Sequence, residues 1–287
     1  MRPQIIDPAT PRALQQSDGF ATALRAMGRD ADLCNLNHVG QCITIERKFA
    51  VGPRVQFTSR GPVWRPDTMP TERVAALRDS SLNIINAAQE DHAVLTESGF
   101  RQIMTGITQA TLPLFANPDD QMRIARGKWR NAARKMARCG MRIGQPAVSP
   151  DLIGWLLSVD ALQQRRKRFR ALPARLTRAL IAVDPTNAHL FIAKRGNTTH
   201  AAMLFLRHGT TATYHIGWTD QHGRTASAHH AILMHASHWL ARHGVQDLDL
   251  GHIDTQNAPG LARFKIGTGA RLHRLGGTWL RLRAWRR

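Results

Sequence analysis

Residues 188–280 carry the pattern that most restricts the fold. Three apolar runs, NAHLFIAKR, THAAMLFLRH and TATYHIGWT, are separated by the short turns RGNT and HGTT. Runs of this length joined by glycine-bearing turns predict three antiparallel strands. TASAHHAILMHASHWLARHG then brings apolar residues at helical spacing and is closed by Gly244. VQDLDLG predicts a strand, NAPGLARFKIGTG a short helix, and ARLHRLGGTWLRLRAW a final strand pair. Elements alternating in this way bury their apolar faces by layering helices on a mixed sheet.

A weaker version of the same order occupies residues 30–144. A short helix is expected at 12–27. DLCNLNHV, QCITIERKFA and PRVQFTS predict strands, and SRGPVWRP a turn-rich loop. TERVAALRDS predicts a helix, SLNIINAAQ a short buried strand, and DHAVLTESGF a helix ending near Gly99. RQIMTGITQATLPL alternates like one strand. PDDQMRIARGKWRNAARKMARCG predicts a single long amphipathic helix from Pro118 to Gly140. Met122, Ala125, Trp129, Ala132, Ala133 and Met136 fall on its apolar side, and Arg123, Arg126, Arg130 and Arg134 form an exposed basic row. PDLIGWLLSVDALQQRRKRFRALPARLTRALIAV is helical with a break at Pro173. The expected fold class is therefore α/β (α+β), with two halves built on mixed, largely antiparallel sheets. Pro146–Pro150 marks the expected boundary, giving halves at 1–147 and 148–287.

The chain has 287 residues, 43% of them hydrophobic, enough for one large or two ordinary domains. Lys+Arg is 40 against 20 Asp+Glu, a formal net charge of +20. Such a field attracts polyanions or anionic headgroups, although a solvated basic face gives the same count. Cys34, Cys42 and Cys139 form no zinc spacing, so no metal site is expected, and sparse cysteines suit a reducing, cytoplasmic location. MRPQIIDPATPRALQQS lacks the apolar stretch of a secretory signal, and no run reaches the ~20 apolar residues that span a bilayer. Contact with an anionic membrane would be peripheral.

The chemistry concentrates in DLGHIDTQNAPGLARFKIGTGARLHRLGGTW at 249–279. Phe264 and Lys265 are neighbours on a short helix and cannot share a face, so Phe264 can enter the core while Lys265 turns to a cleft. Gly267 and Gly269 either cap a helix before a hairpin or open backbone amides to an anion. Asp249, His252 and Asp254 are candidate bases for an amine nucleophile; Asp254 serves equally as a turn cap. IGTG is too short for a nucleotide loop, and no G-x-S-x-G elbow or Ser/His/Asp signature occurs. Trp64, Trp129, Trp218 and Trp279 either line a cleft or pack the core.

The element order resembles the GNAT fold, and the wording of 247–279 resembles the FemABX-like peptidyltransferases and the related BioF2-like acetyltransferase domain. The resemblance rests on Asp249, Leu250 and Gly251, then Gly260, Leu261, Phe264, Lys265, Gly267 and Gly269, with Gly276 or Gly277 in the following turn. His252 departs from it where a second glycine is usual. RGPVW at 60–64, the arginine-rich stretch up to Gly140, and TYHIGWTD at 213–220 extend the likeness over residues 30–287. It implies two GNAT-like halves and transfer of an acyl group from a thioester, or an aminoacyl group from aminoacyl-tRNA, to an amine. The acceptor would be a cell-envelope precursor, an amino acid or a peptide. Lys265 and Phe264 become the residues for donor or phosphate contact, with Arg130 and Arg134 as contributors. TDQHGRTASAHH partly imitates the acyl-CoA phosphate loop of GNAT proteins, but Arg224 stands where a key glycine is expected. Arg224 would then replace amide contacts to phosphate, with Trp218 nearby. The implied donors are acyl-CoA or aminoacyl-tRNA, bound transiently; the implied partners are tRNA, acyl-CoA or a phosphorylated lipid-linked precursor. Two other functions fit: a nucleic-acid-binding protein without catalysis, and an inactive double-GNAT scaffold.

Overall fold

The computed structural model describes residues 6–7, 10–48 and 54–282. The chain forms two compact units, Met1–Thr108 with His273–Arg287, and Gln109–Leu272. The expected division at Pro146–Pro150 thus falls inside the second unit. A proline-bearing connector reads as a linker, yet here the elements on both its sides are held by one sheet, as described below.

The first unit begins with α1 (Asp18–Ala26), whose start is capped by Ser17 accepting from the Phe20 amide. It continues through β1 (Asp30–Leu36), β2 (Gly40–Arg47), β3 (Val55–Gly61), β4 (Val63–Trp64), α2 (Pro70–Asp79), β5 (Ile84–Ala87), α3 (His92–Glu97) and β6 (Arg101–Met104). The loop expected at SRGPVWRP contains β4, which pairs with the start of β2. The sheet runs β1-β2-β3-β5, then β14 (Gly277–Leu280), the last strand among the described residues, then β6. Leu36, Leu77, Leu82, Ile85, Phe100 and Trp279 fill its core. Arg281 fixes the returning strand. Its guanidinium lies 4.4 Å from the Phe100 ring centre and donates to the carbonyls of Leu77, Ser80, Leu82 and Ser98.

The second unit contains β7 (Thr108–Pro113), α4 (Pro118–Ile124), α5 (Gly127–Lys135), β8 (Arg142–Gly144), α6 (Pro150–Lys167) and α7 (Ala174–Val183). It goes on through β9 (Ala188–Arg195), β10 (Thr198–His208), β11 (Thr211–Thr219), α8 (Gln221–Thr225), α9 (Ala228–Arg242), β12 (Asp247–His252), α10 (Pro259–Gly267) and β13 (Arg271–Arg274). Its sheet order is β13-β7-β12-β11-β10-β9-β8. The three expected hairpin strands β9–β11 are antiparallel neighbours, and β12 joins β11 in parallel. That crossover is carried by α9, which lays Ala228, Ile232, Leu233, Ala236 and Leu240 on the core. β8 pairs with β9, and α6 reaches β11 through Gln163, which donates to the Gly217 carbonyl at 3.1 Å. These contacts place both flanks of Pro146–Pro150 in one unit.

Three expectations change. The helix expected over 118–140 is two helices, because Ala125 and Arg126 are extended (ψ 144 and 149) and the Arg126 amide donates to Gly267 instead of continuing the helical ladder. Trp129 and Met136 are buried as expected, while the arginines no longer share one helical row, and Arg130 is only half-exposed. RQIMTGITQATLPL is two strands, β6 and β7, in different sheets, and the final pair β13 and β14 is divided in the same way. Gly106 allows this crossing: the backbone of Leu275 lies so close that a Cβ at Gly106 would collide with it.

Candidate functional site

β11 and β12 pair only at Thr211–Asp247, Ala212–Leu248 and Thr213–Asp249. Past these residues the two parallel strands part, and their carboxyl ends lead into the 220–227 and 253–258 segments. Backbone groups on the facing edges lose their ladder partners there, and the carboxyl ends of parallel strands are where α/β sheets characteristically bind ligands. On its other edge β12 remains paired with β7, through Gly251–Ala110 and His252–Gln109, after a bulge between Asp249 and Gly251. The bulge is built by glycine: Gly251 has φ +81, a region that side-chain-bearing residues avoid. The buried Asp249 carboxylate holds it, accepting from the Gly251 amide at 2.7 Å and from the Gln109 side chain.

Lys265 comes to this bulge from α10. Its residue exposure is 5%, and its Nζ donates to the His252 carbonyl at 2.9 Å. A Cβ at Gly251 would lie 3.4 Å from Nζ, an ordinary contact, so it is the positive φ rather than space that calls for glycine there. Burial pushes the Lys265 pKa down to about 8, with the Asp249 charge opposing the shift. An ammonium has three donors, and the His252 carbonyl takes one of them. The expected division of labour between neighbours is therefore reversed in degree: Lys265 is the more buried, and Phe264 is only partly so. Phe264 packs on Trp129 and His230, with ring centres 6.1 and 5.0 Å apart, and its carbonyl accepts from Trp129 Nε1 at 3.0 Å.

The other sequence candidates divide by geometry. Gly267 is a packing position, since a Cβ there would lie 2.6 Å from Trp129 Cδ1. Gly269 has φ +89, and a Cβ would lie 2.3 Å from the Ile124 carbonyl oxygen. Both glycines let α10 press against α4 and α5. Asp254 accepts from the Asn257 amide and side chain and from the Gln256 amide; these bonds, the Asn257 amide first, lower its pKa. His252 stands beside Lys265 at the strand end, its pKa lowered by partial burial and by the lysine's charge. Arg224 folds back on its own turn, donating to the Thr219 carbonyl at 2.8 Å and to Gln221. Trp218 packs edge-on against Trp155 at 5.2 Å, and its carbonyl accepts from His229 Nε2 at 2.8 Å. Arg134 is exposed on α5, away from the apolar side that buries Trp129.

Sequence reasoning missed the His200–Asp220 pair. Asp220 accepts from the Gly223 amide at 2.7 Å and bonds His200 Nδ1 at 2.8 Å, tying the start of α8 to β10. An aspartate three residues before Gly223 carries an N-cap signal, but nothing local marks His200 as its partner. Gln109 was missed for the same reason, since its partner Asp249 is 140 positions away. Among the described residues no cluster of His, Cys, Asp and Glu could hold a metal ion.

The model of the acetyltransferase (GNAT) domain family matches residues 123–265, the stretch that contains α5, α9, the strand parting and Lys265. No curated protein matches the chain. Among solved structures, FemX superposes with a TM-score of 0.76 at 15% identity, covering 95% of this chain and 93% of that one. A C-terminal domain of a putative lysylphosphatidylglycerol synthetase from Agrobacterium fabrum gives 0.59 at 13% identity, covering 96% and 91%. L-PGS from Bacillus licheniformis gives 0.52 at 12% identity, covering 94% and 93%. Residues 123–265 thus match the acetyltransferase (GNAT) domain family, which supports acyltransferase activity, and the chain has a FemX-like fold.

Proposed function

We propose that the chain moves an acyl or aminoacyl group from an anionic donor to an amine acceptor at the parted ends of β11 and β12. Lys265 is the cation that meets donor phosphate or the developing oxyanion. The observation that carries this reading is its buried ammonium, anchored to the His252 carbonyl beside the Asp249–Gly251 bulge. A cation held in a poorly solvated place stabilises negative charge more than one in water, and needs no reorganisation as the charge develops.

In the reaction the neutral amine attacks the acyl carbon. A C–N bond forms, the carbonyl electrons move onto oxygen, and the C–S or C–O bond to the donor then breaks. The amine loses a proton and the departing group gains one. With its pKa near 8, Lys265 is mostly protonated at neutral pH yet close enough to release a proton to the leaving atom. His252 is the best placed base for the amine, because it is neutral at that pH and beside Lys265, whereas the Asp254 carboxylate is engaged by its own turn.

Two donors remain in view, acyl-CoA and aminoacyl-tRNA. Arg224 and the Gly223 amide are already bonded within the α8 turn, which favours the aminoacyl-tRNA donor over a phosphate held there in the acyl-CoA manner. The acceptor classes are a cell-envelope precursor, an amino acid or a peptide. The likeness to a putative lysylphosphatidylglycerol synthetase domain supports an amino acid as the group transferred. No helix among the described residues is long and apolar enough to cross a membrane.

Equilibrium binding with an acyl-CoA and with a non-hydrolysable aminoacyl-tRNA tests the reading. One of them should bind, and Lys265→Met should weaken it. If neither binds, the transfer reading gives way to a scaffold without chemistry.

A further inference from the structure

The stretch from the last turns of α6 into α7 carries more charge than the fold or the transfer site uses. Arg165, Arg166, Lys167, Arg168 and Arg170 follow one another across the turn, and Arg175 and Arg178 stand on α7, all exposed. None of these arginines has an acidic partner among the described residues. The cations in the last turn of α6 complement that helix's dipole, which is an ordinary structural use. The dipole does not explain Arg175, because the first turn of α7 disfavours a cation and holds no acidic residue to offset it.

Two large apolar side chains are exposed among these charges. Leu162 is 62% exposed, and Phe169 is 42% exposed at the turn itself. Leu162 lies three and four residues before Arg165 and Arg166, on the same side of α6. The turn that presents Phe169 is built. Its amide donates to the Gln164 carbonyl at 3.2 Å, after Arg168 takes the left-handed conformation that ends the helix. The Gln164 side chain accepts from the Ala171 amide and donates to the buried Asp160 at 2.7 Å. A polar anchor inside the unit thus holds an aromatic residue outward, flanked by Arg168 and Arg170.

We infer that this surface, Leu162 and Phe169 among the cations of 165–178, docks on an anionic phospholipid bilayer. Arginine side chains meet the headgroup phosphates while Leu162 and Phe169 enter the boundary between headgroups and acyl chains. A nucleic acid would take the same charges, but it gives no medium for Leu162, and the exposed leucine decides the choice. The inference does not rest on the transfer reaction, since its test contains no donor or acceptor.

Flotation of the full chain with vesicles of phosphatidylcholine alone, and with added phosphatidylglycerol, tests it. The protein should float with the anionic vesicles and remain below the neutral ones. Combined Arg165→Gln, Arg166→Gln and Arg170→Gln should weaken the anionic-vesicle binding by about a hundredfold, at roughly fivefold for each cation near the surface. Leu162→Ser with Phe169→Ser, which keeps all the charge, should also weaken it and leave the thermal melt unchanged. Equal flotation with both vesicles overturns the inference. So does undiminished anionic binding by the serine pair, above all if that pair binds a generic duplex RNA as the wild type does while the glutamine variant does not. That combination would mark a nucleic-acid surface.

Discussion

Lys265 Nζ donates to the carbonyl oxygen of His252 at 2.9 Å, from a helix that starts seven residues after that strand ends. A lysine so placed is poorly solvated and stands beside the carboxyl end of β12. Replacing it by methionine keeps most of its volume and removes its charge. Lys265→Met should keep the fold and lose about tenfold to a hundredfold or more in transfer rate, because a charge-assisted hydrogen bond contributes about 1.5–3 kcal/mol. Transfer kinetics beside melts of the same variant check this. An early melt with normal transfer by the folded fraction would make Lys265 a packing residue.

The same burial sets a pH dependence of stability. The folded pKa of Lys265 is about 8, below the ordinary lysine value of 10.5, so the unfolded chain holds this proton more tightly. Stability should therefore rise as pH climbs from about 8 towards 10.5. The full span corresponds to about 3 kcal/mol. Denaturant titrations of wild type and Lys265→Met across this range should differ in slope by that contribution; parallel curves would show the ammonium to be well hydrated.

Histidines act with the same sign at the acid end. His215, bonded to Thr177, and His229, bonded to the Trp218 carbonyl, both have pKa values pushed down to about 4 by burial. Their contribution is complete above the ordinary histidine pKa of 6.5 and is lost as pH falls from there towards 4. His215→Gln and His229→Gln should flatten the acid side of the stability profile. An unchanged acid transition in both variants would assign it to carboxylates.

Gly267 and Gly269 serve packing. Gly267→Val should destabilise the second unit by about 1–3 kcal/mol, because Trp129 occupies the space a side chain needs. Gly269→Ala should cost stability through its positive φ and the nearby Ile124 carbonyl. Chemical denaturation checks both. Normal stability with weakened donor binding would instead return these glycines to an anion-binding role.

Much of the fold was legible because β9, β10, β11, α9 and β12 follow each other closely, and each carries its own period and closing glycine. Lys265 was legible through the Phe-Lys wording of α10. What stayed hidden depends on distant partners. Nothing near Ala125 signals that Arg126 will donate to Gly267, so two helices read as one. Nothing in RQIMTGITQATLPL shows that Gly106 lets the chain leave one sheet for another. The buried state of Lys265 is likewise set by the bulge at Gly251 and by Gln109 holding Asp249, and neither is encoded in the helix that bears the lysine.

The central claim is that acyl transfer to an amine depends on Lys265. The direct measurement is mass-spectrometric detection of new amide products when the purified chain is given aminoacyl-tRNA or acyl-CoA with the amine-containing extract of its native host. The account predicts an amide product that forms with the wild-type chain and is largely lost with Lys265→Met, while both proteins remain folded under the assay conditions. Product formed equally by the two proteins, or no donor consumed by the wild type with the full extract present, would contradict it.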